Sequence, residues 1–431
     1  MEETRPLLVE RRPDIVEPAA GEYSSSSTTT TTAVLLLATF VTFTGSFDSG
    51  CASGYSSAAE SGIREDLGLT TAQYSVFASI FTFGAMLGAT VSGKIADLIG
   101  RRKASVYVAE ITPKKIRGGF TAANMLVLCF GVSLMFFMGN VLTWRTMAII
   151  GLVPCFVQSV GMFFIPESPR WLAKIGREKE LENTLRRLRG KNADIFSEMA
   201  EIKDYTETFE QLSKTSILNL FERRYAHPLT IGVGIMLLQQ FGGSNGILYY
   251  ASSIFEAAGC SASVGTTAMA IIQIPFTALN VILVDKSGRR PLLMVSAAGT
   301  CLGNILVGLG FLFQGFQYSS ELCAILVLSG ILIYMASYSA GMNATPYTLM
   351  SEIFPVNIRG SAGSLVIFTN WFTAWIVSYS FNFLFDWSPP GVFFIFAAIC
   401  GSTILFVAKL VPETKGRSLE EIQASMTHLL Q

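Results

Sequence analysis

A nine-residue pattern occurs twice in this chain. Residues 110–118 read Glu-Ile-Thr-Pro-Lys-Lys-Ile-Arg-Gly, and residues 352–360 read Glu-Ile-Phe-Pro-Val-Asn-Ile-Arg-Gly. A second pattern repeats with it: Asp97-Leu-Ile-Gly-Arg-Arg102 matches Asp285-Lys-Ser-Gly-Arg-Arg290. The chain is therefore built from two related halves, and a repeat of this kind constrains the fold before any local pattern does. The two halves are not equal. Arg290 to Glu352 spans 62 positions and Arg102 to Glu110 spans 8, so the first half is shorter by 54 residues at one point. The flanking intervals agree: Glu352 to Pro412 is 60 positions and Glu110 to Pro166 is 56. The junction at Arg102–Val106 is abrupt, with motifs intact on both sides, which indicates excision of one block rather than slow decay.

Composition sets the solvent. Hydrophobic residues make up 51% of the chain and charged residues only 14%, the signature of a polytopic membrane protein. Apolar stretches long enough to span a bilayer fall at 33–54, 72–92, 119–140, 146–165, 229–250, 264–284, 291–313, 322–350, 361–385 and 390–411. Four lie in the first half and six in the second. The segment 291–350, twin of the missing block, holds most of two spans, so the first half lacks two adjacent helices. Of the 31 Lys and Arg, only Arg64 and Arg145 fall in loops on one side of this ten-span arrangement. The positive-inside rule makes the other side cytoplasmic and puts both termini there. Losing two spans preserves that parity.

The expected organisation is a disordered cytosolic tail over 1–32, an incomplete N-terminal bundle over 33–165, a charged cytoplasmic helical insert over 166–228, a six-helix C-terminal bundle over 229–411 and a cytosolic tail over 412–431. Within the first tail, Glu3, Leu7 and Leu8 fit an acidic dileucine pattern, which sorting adaptors read for endosomal or vacuolar delivery. The polar lead is too long for a secretory signal.

Several function classes find no support. Lys and Arg balance Asp and Glu at 31 each, and no basic patch points to nucleic acid. The seven cysteines have no CxxC or His spacing and read as small packing residues, with no metal site or disulfide framework. His227 in a loop and His428 in the tail are not placed for catalysis. No constellation indicates an enzyme or a bound cofactor.

Together, Asp97-x-x-Gly-Arg-Arg102, Pro166-Glu-Ser-Pro-Arg-Trp171, Gln239-Gln240-x-x-x-x-Asn245, Asp285-x-x-Gly-Arg-Arg-Pro291 and Pro412-Glu-Thr-Lys-Gly416 resemble the sugar porter family of the major facilitator superfamily. The resemblance covers about residues 33–425, and the tail Val411-Pro-Glu-Thr-Lys-Gly-Arg-Ser-Leu-Glu-Glu-Ile422 looks most like the plant branch named for early response to dehydration. It implies an all-α major facilitator fold of two bundles, here with about ten transmembrane helices instead of twelve. It also implies transport of monosaccharides (hexoses such as glucose or fructose) by alternating access, facilitated or proton-coupled, often in the vacuolar membrane. The contrasting reading is a non-transporting shortened form that acts as a regulatory partner of full-length transporters. The expected partners are thus a monosaccharide, the lipid bilayer, protons and sorting adaptors.

Residue roles follow from chemistry and resemblance together. Ion pairs at helix ends that form in one state and break in the other act as a latch, and Asp97, Arg101, Glu110, Arg117 in one half and Asp285, Arg289, Glu352, Arg359 in the other suit that role. A sugar needs neutral hydrogen-bonding groups, since charges are costly to bury in a membrane. Gln239, Gln240 and Asn245 sit among Gly242, Gly243 and Gly246, where a helix can break beside a cavity. Gln273, Asn370 and Trp371 match other binding positions of the family. Where the family has Gly-Pro-x-Pro-Trp, this chain has Asn343-Ala-Thr-Pro-Tyr347, which keeps an aromatic platform and is expected to stiffen the helix. At Arg117+8 the family has Gln and this chain has Met125, which removes an amide from the first half. Asp48 matches the acidic residue of proton-coupled members, with Ser46, Ser49 and Ser53 as nearby partners.

Overall fold

The computed structural model describes residues 32–102, 107–112, 117–190, 195–212, 220, 222–355 and 358–416. The proposed sorting residues Glu3, Leu7 and Leu8 lie outside this set, and so do the side chains of Asp97, Arg117 and Asp285.

Every apolar stretch of the sequence is helical. The first half holds α1 (Ala33–Leu67), α2 (Thr71–Ile99), the short α3 (Tyr107–Ile111), α4 (Arg117–Gly139) and α5 (Trp144–Gly161). Local chemistry starts these helices. Thr32 and Thr143 accept from backbone N–H groups three residues on, and Thr70 with Gln73 forms a reciprocal capping box. At about 1.5 Å per residue, α1 is roughly 50 Å long and exceeds a hydrocarbon core of about 30 Å. Its last turns, with Glu60, Arg64, Glu65 and Asp66, carry charges that its first six turns lack apart from Asp48.

Three amphipathic helices follow, α6 (Pro169–Lys174), α7 (Glu178–Arg189) and α8 (Ile195–Leu212). They bury Leu172, Leu181, Leu185 and Ile195 in a small core of their own. Arg189 ties them to the first half, donating to Ile111 O at 2.7 Å and pairing with Glu198 at 2.7 Å.

The second half holds α9 (Arg223–Phe241), α10 (Ser244–Tyr249), α11 (Ala251–Ala257), α12 (Ala262–Ser287), α13 (Arg289–Gly315), α14 (Ser320–Ser337), a π turn (Tyr338–Met342), α15 (Thr345–Ile353), α16 (Arg359–Trp387) and α17 (Pro389–Leu410). His227, expected in a loop, is part of α9, because the helix extends back past Pro228 to Arg223. The segment expected to be stiff is broken: the π turn and a non-helical Ala344 separate α14 from α15, and Pro346 starts the new helix. A π turn interrupts the regular ladder without needing glycine or proline at the bend.

Seven of the described helices are long and apolar enough to cross a membrane. In the first half α1 packs on α4 and α5; in the second, α13 packs on α14 and α17. The halves meet most extensively where α2 lies against α16 and α4 against α12, and α1 also touches α10 and α11. The α1–α4 contact is close because Gly50 and Gly54, four residues apart, lie on the α4 backbone at Leu128 and Val132, while Gly131 lies on Phe47. A side chain at Gly50 or Gly131 would collide with backbone carbonyls.

Candidate functional site

The amide cluster forms where α9 breaks. Gly243 takes a left-handed conformation (φ 93°) and separates α9 from α10, so residues on both sides of the break turn to one place. Gln240 Nε2 donates to Asn370 Oδ1 at 2.8 Å, and Gln240 Oε1 accepts from Ser244 Oγ at 2.9 Å and Asn245 Nδ2 at 2.7 Å. Gln239 Nε2 donates to Tyr338 Oη at 3.1 Å and to Met342 O at 2.7 Å. Gln239 Oε1 is buried and has no hydrogen-bond partner among the described residues. A buried amide oxygen left open costs about 1–3 kcal/mol, which a polar ligand would recover.

Gln240, Asn245 and Asn370 are thus one network, and Gln239 beside it bonds to the π turn instead. Gln273 is apart from it: on α12 it donates to Cys129 O at 3.1 Å and Ser133 Oγ at 2.8 Å, joining the halves across the α4 seam. Trp371 meets Phe81 of α2 edge to face, centroids 6.1 Å apart. Tyr347, on α15, packs with the buried cluster around Leu349 and Phe354, which also takes in Met342 and Tyr338. The sequence reading missed Tyr338, which stacks on Tyr334 at 6.0 Å. It lies on the π turn, and no motif marks it.

The helix-end motifs form two matching constructions. In the first half Arg101 pairs with Glu110, and Glu167 Oε1 accepts the backbone N–H of Arg101 and Arg102 at 2.7 and 2.8 Å. Ser168 Oγ donates to the other oxygen of Glu110. In the second half Arg289 pairs with Glu352 at 2.8 Å, and Glu413 accepts the N–H of Arg289 and Arg290 at 3.1 and 3.2 Å. Thr414 Oγ1 donates to the second oxygen of Glu352 at 2.6 Å. Gly100 and Gly288, both at positive φ, leave room for the Glu carboxylates; a Cβ at either would strike them. Burial alone would raise the Glu413 pKa, but the N–H groups of Lys415, Arg289, Arg290 and Thr414 outweigh it and hold the carboxyl below its ordinary value. Arg359 instead turns to Phe354 O at 3.1–3.2 Å. The roles of Glu167, Ser168, Glu413 and Thr414 were legible in one respect: Pro-Glu-Ser and Pro-Glu-Thr recur one half apart.

Asp48 lines a cleft of about 260 Å³ between α1, α2 and α5, with Cys51, Tyr55, Ile80, Phe81 and Met147. Its partner is Cys155, whose Sγ donates to Oδ2 at 3.1 Å. The serines named from the sequence bond elsewhere: Ser46 to Asn124, Ser49 to Gly45 O and Ser53 to Ser49 O. Cys155 lies 107 positions away, and no local spacing announces it.

With this geometry in hand, the comparisons with known proteins are consistent. The sugar (and other) transporter family model matches residues 33–106 and 103–426, two stretches that meet at the junction where the first half is short. Sugar transporter ERD6-like 7 of Arabidopsis thaliana is 47% identical over 430 residues, covering 90% of this chain and 93% of the relative. ERD6-like 17 of the same plant is 46% identical, with 91% and 92% covered. Among solved structures, the inward open conformation of the xylose transporter XylE from E. coli shares the fold, with a TM-score of 0.73, 23% identity and coverage of 91% of this chain and 99% of that one. The polytopic helices, the paired helix-end motifs and these matches identify the chain as a multi-pass membrane protein, a transporter rather than an enzyme, belonging to the sugar porter family of the major facilitator superfamily.

Proposed function

We propose that the chain carries monosaccharides, hexoses such as glucose or fructose, by alternating access, with the amide cluster at the α9 break as the sugar site. The observation that carries this reading is Gln239 Oε1, a buried acceptor without a partner beside a chain of neutral amides. A sugar hydroxyl can donate to that oxygen and accept from the Gln240, Asn245 and Asn370 amides, which can each exchange a present bond for one to the ligand. Such exchange of neutral bonds binds weakly and reversibly, as a carrier requires. The rings of Tyr338 and Trp371 offer apolar faces for a pyranose. Tyr347 and Gln273 join the site only if the helices around them rotate.

Besides the Gln273 bonds, three direct hydrogen bonds between the two halves lie away from the charged motifs: Ser57 with Ser252 at 3.0 Å, Asn382 with Ser75 at 3.2 Å and Asn140 with Thr267 at 3.1 Å. The latch pairs Arg101–Glu110 and Arg289–Glu352 stand at the opposite ends of the helices. Both sets are formed together in this structure, each latch pair inside its own half, and in the proposed cycle the bonds between the halves break when their side opens. We place the motif side and both termini in the cytoplasm, from the positive-inside rule. The dileucine pattern favours the vacuolar over the plasma membrane. Asp48, held by a thiol in an open cleft, is the site of any proton coupling.

One observation favours the contrasting reading of a non-transporting partner. Large apolar side chains of α2 and α5 face outward: Ile80 is 60% exposed and Phe156 70%. Hexose uptake in transporter-deficient cells decides between the two. Uptake that is abolished by Gln240→Ala supports the sugar site. No uptake from this chain, with normal uptake once 54 residues are restored, would assign transport to the longer form alone.

A further inference from the structure

A second polar cleft, of about 380 Å³, opens at the ends of the helices opposite the charged motifs. It is lined by Glu60, Arg64, Glu65, Ser252, Ser253 and Glu256. It lies across the seam between the halves, because Glu60, Arg64 and Glu65 belong to α1 and the other three to α11. One turn before Glu60, Ser57 and Ser252 join α1 to α11 through two bonds of 3.0 Å, hydroxyl to hydroxyl and Ser252 N–H to Ser57 Oγ. Next to this bond Tyr74 of α2 meets Tyr250 edge to face at 6.4 Å, and the Tyr74 hydroxyl donates to Ser56 O. The seam is shut here.

Glu60 lies one turn beyond that bond, packed between α1 and α11 at the floor of the cleft. It is 3% exposed, and neither carboxyl oxygen makes a hydrogen bond among the described residues. Three charged groups face it. Arg64 stands 3.5 Å from Oε1 and favours an anion; Glu65 on the same helix and Glu256 on α11 oppose one. The remaining titratable neighbours, Tyr55, Tyr74 and Tyr250, are neutral at ordinary pH. A carboxylate removed from water keeps its charge cheaply only if donors replace the water, and here the nearby donors Arg64 and Ser253 offset only part of the burial. When the seam parts, water reaches Glu60 and the charged form recovers its hydration.

We propose that Glu60 is a proton-binding residue of this gate: its carboxyl carries a proton while the α1–α11 seam is shut and gives it to the solution on that side when the seam opens. The closed state then binds one proton more than the open state. By linkage, closure is favoured at low pH and opening at high pH on the side opposite the motifs. Glu60 is distinct from Asp48, which lies 12 residues earlier on α1 in the other cleft. The proposal rests on the alternating-access reading above.

The test measures the gate directly, with no sugar present. The full chain is purified into lipid nanodiscs, and spin labels are attached to genetically encoded residues at Val141 and Tyr318. These positions are exposed, one in each half, in loops on the gate side. In the wild type the distance distribution should shift from short to long as pH rises from about 5 to about 9. Glu60→Gln, a neutral isostere, should stay short throughout. Glu256→Gln should lower the midpoint, and Arg64→Gln should raise it, each by about half a pH unit. Opposite shifts from neighbours of opposite charge are not expected of a purely structural contact. A wild-type distance that ignores pH, a response that survives Glu60→Gln, or neighbour shifts of one sign would overturn the proposal. A chain that carries sugar with a pH-independent gate refutes this inference alone. A chain whose gate follows pH through Glu60 but carries no sugar refutes the transport reading alone.

Discussion

The two halves share their motifs but not their burial. The second half wraps its polar groups: α13, α14 and α17 pack face to face, and the amides of Gln239, Gln240 and Asn370 are each at most 5% exposed. In the first half, α2 runs along α16 of the other half and barely touches the rest of its own bundle, while α5 leaves Ile149, Leu152 and Phe156 outward. The latch constructions are nonetheless equivalent, down to the Glu that accepts two backbone N–H groups and the hydroxyl that completes the second Glu. A helix-end network of this kind depends on a loop and two helix termini, so it survives loss of a neighbouring pair of helices. A substrate wall depends on which helices stand side by side, so it does not.

The contrast can be broken most directly by repairing it. Insertion of a two-helix block of 54 residues between Arg102 and Val106 should raise initial hexose uptake about tenfold or more, the value of recovering one or two buried hydrogen bonds. Equal uptake with and without the block would show that the first half needs no further wall. In the repaired chain, Gln240→Ala removes three bonds of the amide cluster and should raise the KM for sugar about tenfold. Asn124→Ala, on the first-half side, should change KM by less than about threefold, because its oxygen serves Ser46. A larger effect from Asn124 than from Gln240 would reverse the assignment of the binding half.

Packing offers a second comparison. Gly131→Leu forces a side chain into the Phe47 carbonyl and should destabilise the first half by about 1–3 kcal/mol, read as a lower melting temperature in detergent. Gly151→Leu, whose Cβ would meet only Met135 at 3.5 Å on the open side of α5, should change it little. The smallest expected effect is at the second latch. The Glu413 carboxyl is held below its ordinary value, so its stabilising contribution is complete above the unfolded value and falls away as pH drops through the lower folded one. Glu413→Gln should lower the melting temperature by at most a few degrees at neutral pH, and the difference from the wild type should shrink toward about pH 3.

Much of the fold was legible because a bilayer leaves few solutions: each apolar stretch must satisfy its own backbone, and only a helix does so locally. The boundaries at Thr32, Thr70 and Thr143 were written in side chains that cap their own N-termini. The Gln239–Gln240–Asn245 group was legible because its members stand close in sequence on either side of one glycine break. Tyr338, Cys155 and the seam around Glu60 were not, since each takes its meaning from a residue on another helix.

The sequence by itself determined the two-half plan, the pairing of the charged motifs and the shortening of the first half between Arg102 and Val106. Those depend on order and spacing along the chain. Only the tertiary structure decided that Gln273 ties the halves together rather than joining the amide cluster, that Asp48 is held by Cys155, and that Glu60 is buried between α1 and α11. Those depend on which faces of distant helices meet, and residues far apart in sequence carry no local signal of that meeting.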